Sequence, residues 1–170
     1  PPRGNGTAGT DDTDASLLKN VFLWESISRI QCLGCERSSE RTEPFLDLRL
    51  EITVEIATIE GALEAYTQVE KLEGDNAYWC DQCGGKRDAE KAIHLSSPPK
   101  TLVLHFKRFQ GQKKISSVIR YQPELLIPTD PGRRQDVYTL TGVVTHIGPT
   151  CRPGHYTAYG YRKGEWYRFD

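Results

Sequence analysis

Two short cysteine pairs constrain this chain more than any other feature. Cys32-Leu33-Gly34-Cys35 and Cys80-Asp81-Gln82-Cys83 share one spacing, with residues 36–79 between them. A C-x-x-C on a tight turn presents two thiolates to one point, about 2.3 Å from a shared ion. Two such turns complete a tetrahedral four-thiolate zinc site with no open position, so the zinc is structural rather than catalytic. Gly34 and Gly84-Gly85 supply turn freedom at both pairs. The alternative is two redox dithiols or two disulfides. The repeated spacing and the odd total of 5 cysteines point to zinc in a reducing, intracellular compartment instead. The gap between the pairs has room for a strand and a helix, so the metal would tie the tip of a long β-rich projection.

The rest of the pattern is mostly strand-like. Residues 1–15 are rich in Gly, Thr, Asp and Pro and read as a flexible linker. Ser16 is expected to cap a short helix through Leu17, Leu18, Val21 and Phe22. Ile27 to Cys32 reads as a strand, and a polar stretch then leads to residues 45–52. There Leu46, Leu48, Leu50 and Ile52 share one face of a half-buried strand. Thr58 is the expected N-cap of a helix carrying Ile59, Ala62, Leu63 and Tyr66, ending near Val69. Lys86 to Leu95 reads as a strand, and Pro98-Pro99 breaks the chain. Leu102 to Phe106 is a nearly continuous apolar run expected to form a central strand. Lys114 to Tyr121 and Val137 to Ile147 follow as strands. A hairpin with Lys163-Gly164 at its turn joins Tyr156–Tyr161 to Glu165–Phe169. The fold class is α+β, mainly antiparallel β.

A second constellation lies near the end. Counting back from Arg162 opposite Glu165 puts Asp170 opposite Thr157, so His155 falls on the same face as Asp170, two residues away. Such diagonal neighbours stand roughly 7–8 Å apart, a gap their side chains can bridge. A carboxylate there can hold the Nδ1 proton of the imidazole and leave Nε2 free as a base. An ordinary surface His and Asp on one sheet face is the other reading of the pair alone. His94, His105 and His146 fall within expected strands and read as structural. Cys151, in the loop before His155, reads as a loop residue.

Several classes are disfavoured. The net charge of −1, and Asp75 and Asp81 around the second cysteine pair, do not suit nucleic-acid binding. Lys107-Arg108 and Lys113-Lys114 read as solvated faces. No apolar run approaches the roughly 18 residues needed to cross a bilayer. Asn5-Gly6-Thr7 matches a glycosylation sequon, but three residues carry little weight without a secretory context.

The two cysteine pairs, Leu102 to Phe109 (LVLHFKRF), Gly154-His155-Tyr156 and the closing Trp166-Tyr167-Arg168-Phe169-Asp170 occur in this order. Together they resemble the ubiquitin-specific proteases, from about Leu17 to Asp170. The resemblance implies a papain-like cysteine protease fold likened to a right hand. Residues 16–170 would be part of that catalytic domain, with fingers at about 25–95 and palm at about 96–170. It implies that His155 is the catalytic histidine and Asp170 the acid that orients it. It also implies that the loop from Gly148 to Pro153, with Gly154 and Tyr156, shapes a narrow channel for a substrate tail ending in Gly-Gly. The implied partners are ubiquitin and ubiquitinated proteins, in the nucleus or cytoplasm, with hydrolysis of the isopeptide bond after ubiquitin's last glycine. In that family the nucleophilic cysteine precedes the fingers, where this sequence has only the linker. Another acid and a final strand usually follow the position of Asp170. The expectation is therefore that these residues alone are inactive. A ubiquitin-binding pseudo-protease and a zinc-ribbon interaction module stay open as alternatives.

Overall fold

The computed structural model describes residues 12–170 except 112, 131–133 and 151–152. Helix α1 (Asp12–Phe22) leads into strands β1 (Trp24–Cys32), β2 (Ser38–Phe45) and β3 (Leu48–Leu50), then helix α2 (Ile59–Thr67). Short strands β4 (Glu70–Leu72), β5 (Tyr78–Cys80) and β6 (Gly85–Arg87) precede the long β7 (Ala89–Ser96). Next come β8 (Leu104–Phe106), β9 (Phe109–Gln110), β10 (Lys113–Lys114), β11 (Glu124–Asp130) and β12 (Arg134–Thr139). The chain closes with β13 (Gly142–Ile147), β14 (His155–Arg162) and β15 (Glu165–Phe169).

The sheet that reaches the cysteines has the order β2-β1-β7-β4 and is antiparallel throughout. β2 escapes the sequence pattern because it is an edge strand whose residues are almost all exposed. It is held by its ladder to β1 and by an Arg29–Glu40 ion pair. A second antiparallel sheet, β13-β14-β15, carries the His155 hairpin. Its register runs Arg162↔Glu165, Tyr161↔Trp166, Gly160↔Tyr167, as the turn residues imply. Lys163 and Gly164 both have positive φ, 52° and 87°, the backbone a two-residue hairpin turn uses.

The core is built by residues of β1, β3, β7, β11 and α2. Leu48, Leu50 and Ile52 are buried there with Trp24, Leu95 and Ile127. Each such side chain contributes about 1.5–3 kcal/mol by leaving water. α2 adds Ile59, Ala62 and Leu63 to this core. Thr58 caps the helix as expected, its hydroxyl accepting from Gly61 N at 3.1 Å. The helix ends at Thr67, short of Val69, with the Thr67 hydroxyl turned back onto Leu63 O at 3.0 Å.

Several expected elements differ. α1 starts at Asp12, so Ser16 lies inside the helix and does not cap it. Leu46 is 48% exposed and sits in a bend at residues 46–47; the shared apolar face begins only at Leu48. The expected strand from Lys86 to Leu95 is split at Asp88 into β6 and β7, because Asp88 O accepts from Leu33 N at the cysteine turn. The Leu102–Phe106 run is not a central strand. Among the described residues it pairs only with β3, in parallel, and Val103 faces solvent. Of Lys114 to Tyr121, only Lys114 lies in a strand. Arg108 Nη1 donates to Ile115 O at 3.1 Å and Ser117 O at 2.8 Å, replacing ladder bonds with a side chain. The expected strand Val137–Ile147 breaks between Thr139 and Gly142 into β12 and β13, which belong to different sheets. Among the described residues, no helix is long and apolar enough to cross a membrane.

Candidate functional site

The four cysteines converge. Cys32 ends β1 and Cys80 ends β5, and both are buried. Cys35 and Cys83 follow on turns and are half-buried. Their sulfurs all lie within 4.8 Å of one another. Cys35 and Cys80 are 3.6 Å apart and Cys32 and Cys83 are 4.0 Å apart. A disulfide needs about 2.05 Å. Four thiolates about 2.3 Å from a tetrahedral zinc stand about 3.8 Å from each other, which these separations bracket. The donor set therefore fits a four-thiolate zinc. The residues after the second cysteine of each pair, Glu36 and Gly84, have φ of 60° and 64°. The first turn thus places a glutamate, not Gly34, in the left-handed region. Gly34 instead makes room for Arg87, whose Cδ would lie 3.2 Å from an added Cβ.

Without metal the thiols differ in acidity. The Cys83 backbone N–H bonded to Cys80 holds that thiol down at about 7. The neighbouring Cys35 sulfur pushes Cys83 up to about 12. A cluster with one readily ionised thiol among reluctant ones suits a dication, which favours every thiolate at once.

At the second site, His155 opens β14 and Asp170 directly follows β15. The register brings them together as the hairpin count implies, and both remain accessible, at 60% and 47% of side-chain surface. The ring nitrogen against Asp170 Oδ1 is Nε2. This corrects the expectation that Nδ1 would meet the carboxylate. The pair is diagonal across the ladder, and Nε2, the nitrogen farther from the backbone, spans the gap. An ionised carboxylate only accepts, so Nε2 carries the proton and Nδ1 of the neutral ring is left unprotonated. His155, first, and then Arg168 hold the Asp170 carboxyl below its ordinary range.

Arg168 was missed by sequence reasoning. Its Nη2 donates to Asp170 Oδ2, so both carboxylate oxygens are engaged. Its signal was available: Arg168 stands two positions before Asp170, on the same strand face. Two residues after His155 on β14, Thr157 is buried, its hydroxyl 2.7 Å from that of Thr145 on the paired strand.

Gly148, Pro153, Gly154 and Tyr156 flank His155 in the β13–β14 connection and at the start of β14. Gly148 has φ of 146°, and a Cβ there would stand 2.7 Å from Pro153 O. A Cβ on Gly154 would overlap His146 Nε2 and lie 2.8 Å from Ile147 O. Both positions therefore demand glycine for close backbone approach. Tyr156 is exposed, its ring 4.7 Å from that of His146. Cys151 lies outside the described residues, as do the linker residues 1–11 and the sequon within them. Of the basic pairs, Lys107 and Lys113 are exposed as expected, with Lys107 2.6 Å from Glu51, whereas Arg108 holds backbone carbonyls and Lys114 is half-buried among acceptors.

A family model described as ubiquitin carboxyl-terminal hydrolase matches residues 5–170. Ubiquitin carboxyl-terminal hydrolase 16 of Arabidopsis thaliana is 34% identical over 164 residues, covering 92% of this chain and 16% of that protein. Ubiquitin carboxyl-terminal hydrolase 17-like protein C of Mus musculus is 36% identical over 166 residues, covering 92% of this chain and 30% of its own length. A solved yeast SAGA DUB module aligns with a TM-score of 0.81 at 30% identity, over 91% of this chain and 36% of that one. A SAGA Ubp8/Sgf11/Sus1/Sgf73 DUB module bound to ubiquitin aldehyde aligns at 0.79 and 28% identity, over 96% of this chain and 39% of that one. The chain thus spans less than two fifths of each of these relatives. Its mainly antiparallel, papain-like fold and its cysteine cluster agree with a match that runs nearly end to end, and the chain belongs to the ubiquitin carboxyl-terminal hydrolase family.

Proposed function

We propose that the protein containing these residues is a thiol-dependent deubiquitinase that hydrolyses the isopeptide bond after the terminal glycine of ubiquitin. The observation that carries this reading is the His155–Asp170 pair, held by hairpin register with Nδ1 free at an open sheet end. The nucleophilic thiol gives its proton to His155 Nδ1 as its sulfur attacks the glycine carbonyl carbon. Asp170 stabilises the imidazolium through Nε2–H. Nδ1 then protonates the departing lysine amine, leaving a thioester. Water attacks the thioester, its proton passes through Nδ1, and the thiol is restored. Gly148, Pro153, Gly154 and Tyr156 line the approach, and a narrow channel there would select a tail without side chains.

In this reading the cysteine cluster holds one structural zinc at the tip of the fingers, residues about 25–95, while residues about 96–170 form the palm. The four cysteines of the cluster are committed to metal, and the family resemblance implies that the nucleophilic thiol belongs to a segment preceding the fingers. Ubiquitin and ubiquitinated proteins are the partners, supported by the similarity to a module bound to ubiquitin aldehyde. A nuclear or cytoplasmic location suits unpaired thiols at this spacing. The intact His155–Asp170 pair favours an enzyme over a ubiquitin-binding pseudo-protease.

The test is a ubiquitin probe with a C-terminal electrophile, applied to the full-length protein and to residues 1–170. Full-length protein should be labelled on an upstream cysteine and should cleave ubiquitin conjugates; residues 1–170 alone should do neither. A full-length protein that neither labels nor cleaves would sink the proposal. Labelling of Cys151 in the isolated chain, abolished by His155→Ala, would move the nucleophile to Cys151.

A further inference from the structure

The polar contacts nearest the back of His155 converge on a residue from another strand. Lys114, in β10, donates from Nζ to His146 O at 2.6 Å and to Gly148 O at 3.1 Å. The same Nζ lies 3.2 Å from His146 Nδ1. An ammonium has donors only, so Nδ1 accepts and the neutral imidazole carries its proton on Nε2. The two carbonyls flank Ile147, and Ile147 pairs with His155 in the β13–β14 ladder. The His146 ring stands edge-on to Phe109 at 5.5 Å and tilted against Tyr156 at 4.7 Å. Its Nε2 side fills the space that a Cβ on Gly154 would need, directly before His155. One lysine thus fixes the backbone opposite His155, and through His146 it also fixes the backbone preceding it.

We infer that Lys114, acting through His146, is a positioning residue that sets where His155 stands; the inference rests on reading His155 as the reacting base. Lys114 touches neither His155 nor Asp170, so its loss should act on geometry rather than on substrate contact. A displacement near 1 Å at a reacting group costs on the order of a hundredfold in rate.

The test uses full-length protein and Lys114→Met, which keeps the side-chain length and removes the donors. Nitrogen-15 spectra of the histidine rings read the cluster directly. Native protein should show His146 as the Nε2–H tautomer. Lys114→Met should release it to a mixture and shift the His155 ring signals. With a ubiquitin–fluorophore substrate, kcat should fall about ten- to a hundredfold, with KM within about twofold and the melting temperature little changed. Lys114→Arg, which restores a donor, should recover most of kcat. Should Lys114→Met fail to fold, Lys114→Gln takes its place in the same measurements. Unchanged His155 signals and unchanged kcat in a folded variant would overturn the inference, as would a rise in KM alone. If native protein cleaves nothing while the variant still moves the His155 signals, the positioning role stands and the proposed reaction is what fails.

Discussion

The two constellations at opposite ends of the sequence are built to opposite specifications. At the cysteine cluster, reactive atoms are turned toward one another and away from water, with Cys32 and Cys80 buried at strand ends. At the hairpin, His155 and Asp170 remain exposed, held by their contact with each other and by Arg168. A closed shell of four donors suits an ion that never changes ligands. A single imidazole with one nitrogen anchored and one free suits a proton that must come and go. Burial and the number of anchors, rather than residue type, separate the structural site from the reactive one.

The largest effect should come from opening the closed site. Elemental analysis of protein purified without added metal should give one zinc per chain. A strong chelator should remove it and collapse the amide spectrum around residues 32–37 and 78–90, since apo sites of this type rarely hold their fold. Cys83 is pushed up to about 12 and Cys80 is held near 7, so zinc must displace protons on binding. Its affinity should therefore fall as pH falls below neutral, read with a colorimetric zinc indicator. A folded, metal-free sample with two disulfides would break the comparison, for the buried cysteines would then be a redox pair of pairs.

At the open site, the expected loss is of rate and not of fold. His155→Ala in full-length protein should lower kcat/KM about 10²–10⁴-fold, the range for removing a general acid–base group. The zinc content and the amide spectrum should stay as in the native protein. Asp170→Ala should cost less, about 10–100-fold, because the base remains and only its anchor is lost. If Asp170→Ala costs as much as His155→Ala, the pair acts as one unit and the anchor is as important as the base.

A smaller effect is expected at Gly154, where function and packing meet. Gly154→Ala drives a Cβ into His146 and toward Ile147 O. Steady-state kinetics should show kcat falling by roughly tenfold if His155 moves with its neighbour. A change confined to KM would instead place Gly154 in the channel for the substrate tail.

The sequence made some of this legible for a physical reason and hid the rest for another. The zinc ligands were readable because a C-x-x-C turn sets its geometry locally, without knowledge of the fold. The His155–Asp170 pair was readable because the turn at Lys163-Gly164 fixes register, and register fixes faces. β2 was not readable: an exposed edge strand such as Ser-Ser-Glu-Arg-Thr-Glu has no buried face to leave a period-2 trace. Lys114 was misread as solvated because nothing local ties β10 to His146, a partner brought to it only by tertiary structure. The ring nitrogen facing Asp170 was misread because register sets which residues meet and not how a ring turns.

The smallest effect tests who owns Asp170. Its carboxyl is held below the ordinary carboxylate range first by His155 and, more weakly, by Arg168. A lowered folded value means that the ionised pair contributes fully above the unfolded value of about 3.9. That contribution is lost as pH falls through the lower folded value. At neutral pH the anchor should therefore be indifferent to small pH changes. Carbon-13 titration of the Asp170 carboxyl should show its midpoint rising toward about 3.9 in His155→Ala, and rising less in Arg168→Ala. Both groups are exposed, so solvent screens these shifts and stability should scarcely change. The opposite order, with Arg168→Ala moving the midpoint more, would make the carboxylate a partner of arginine that merely touches the imidazole. The open end would then have one anchor fewer than the geometry assigns it, and the contrast with the four-donor cluster would be sharper still.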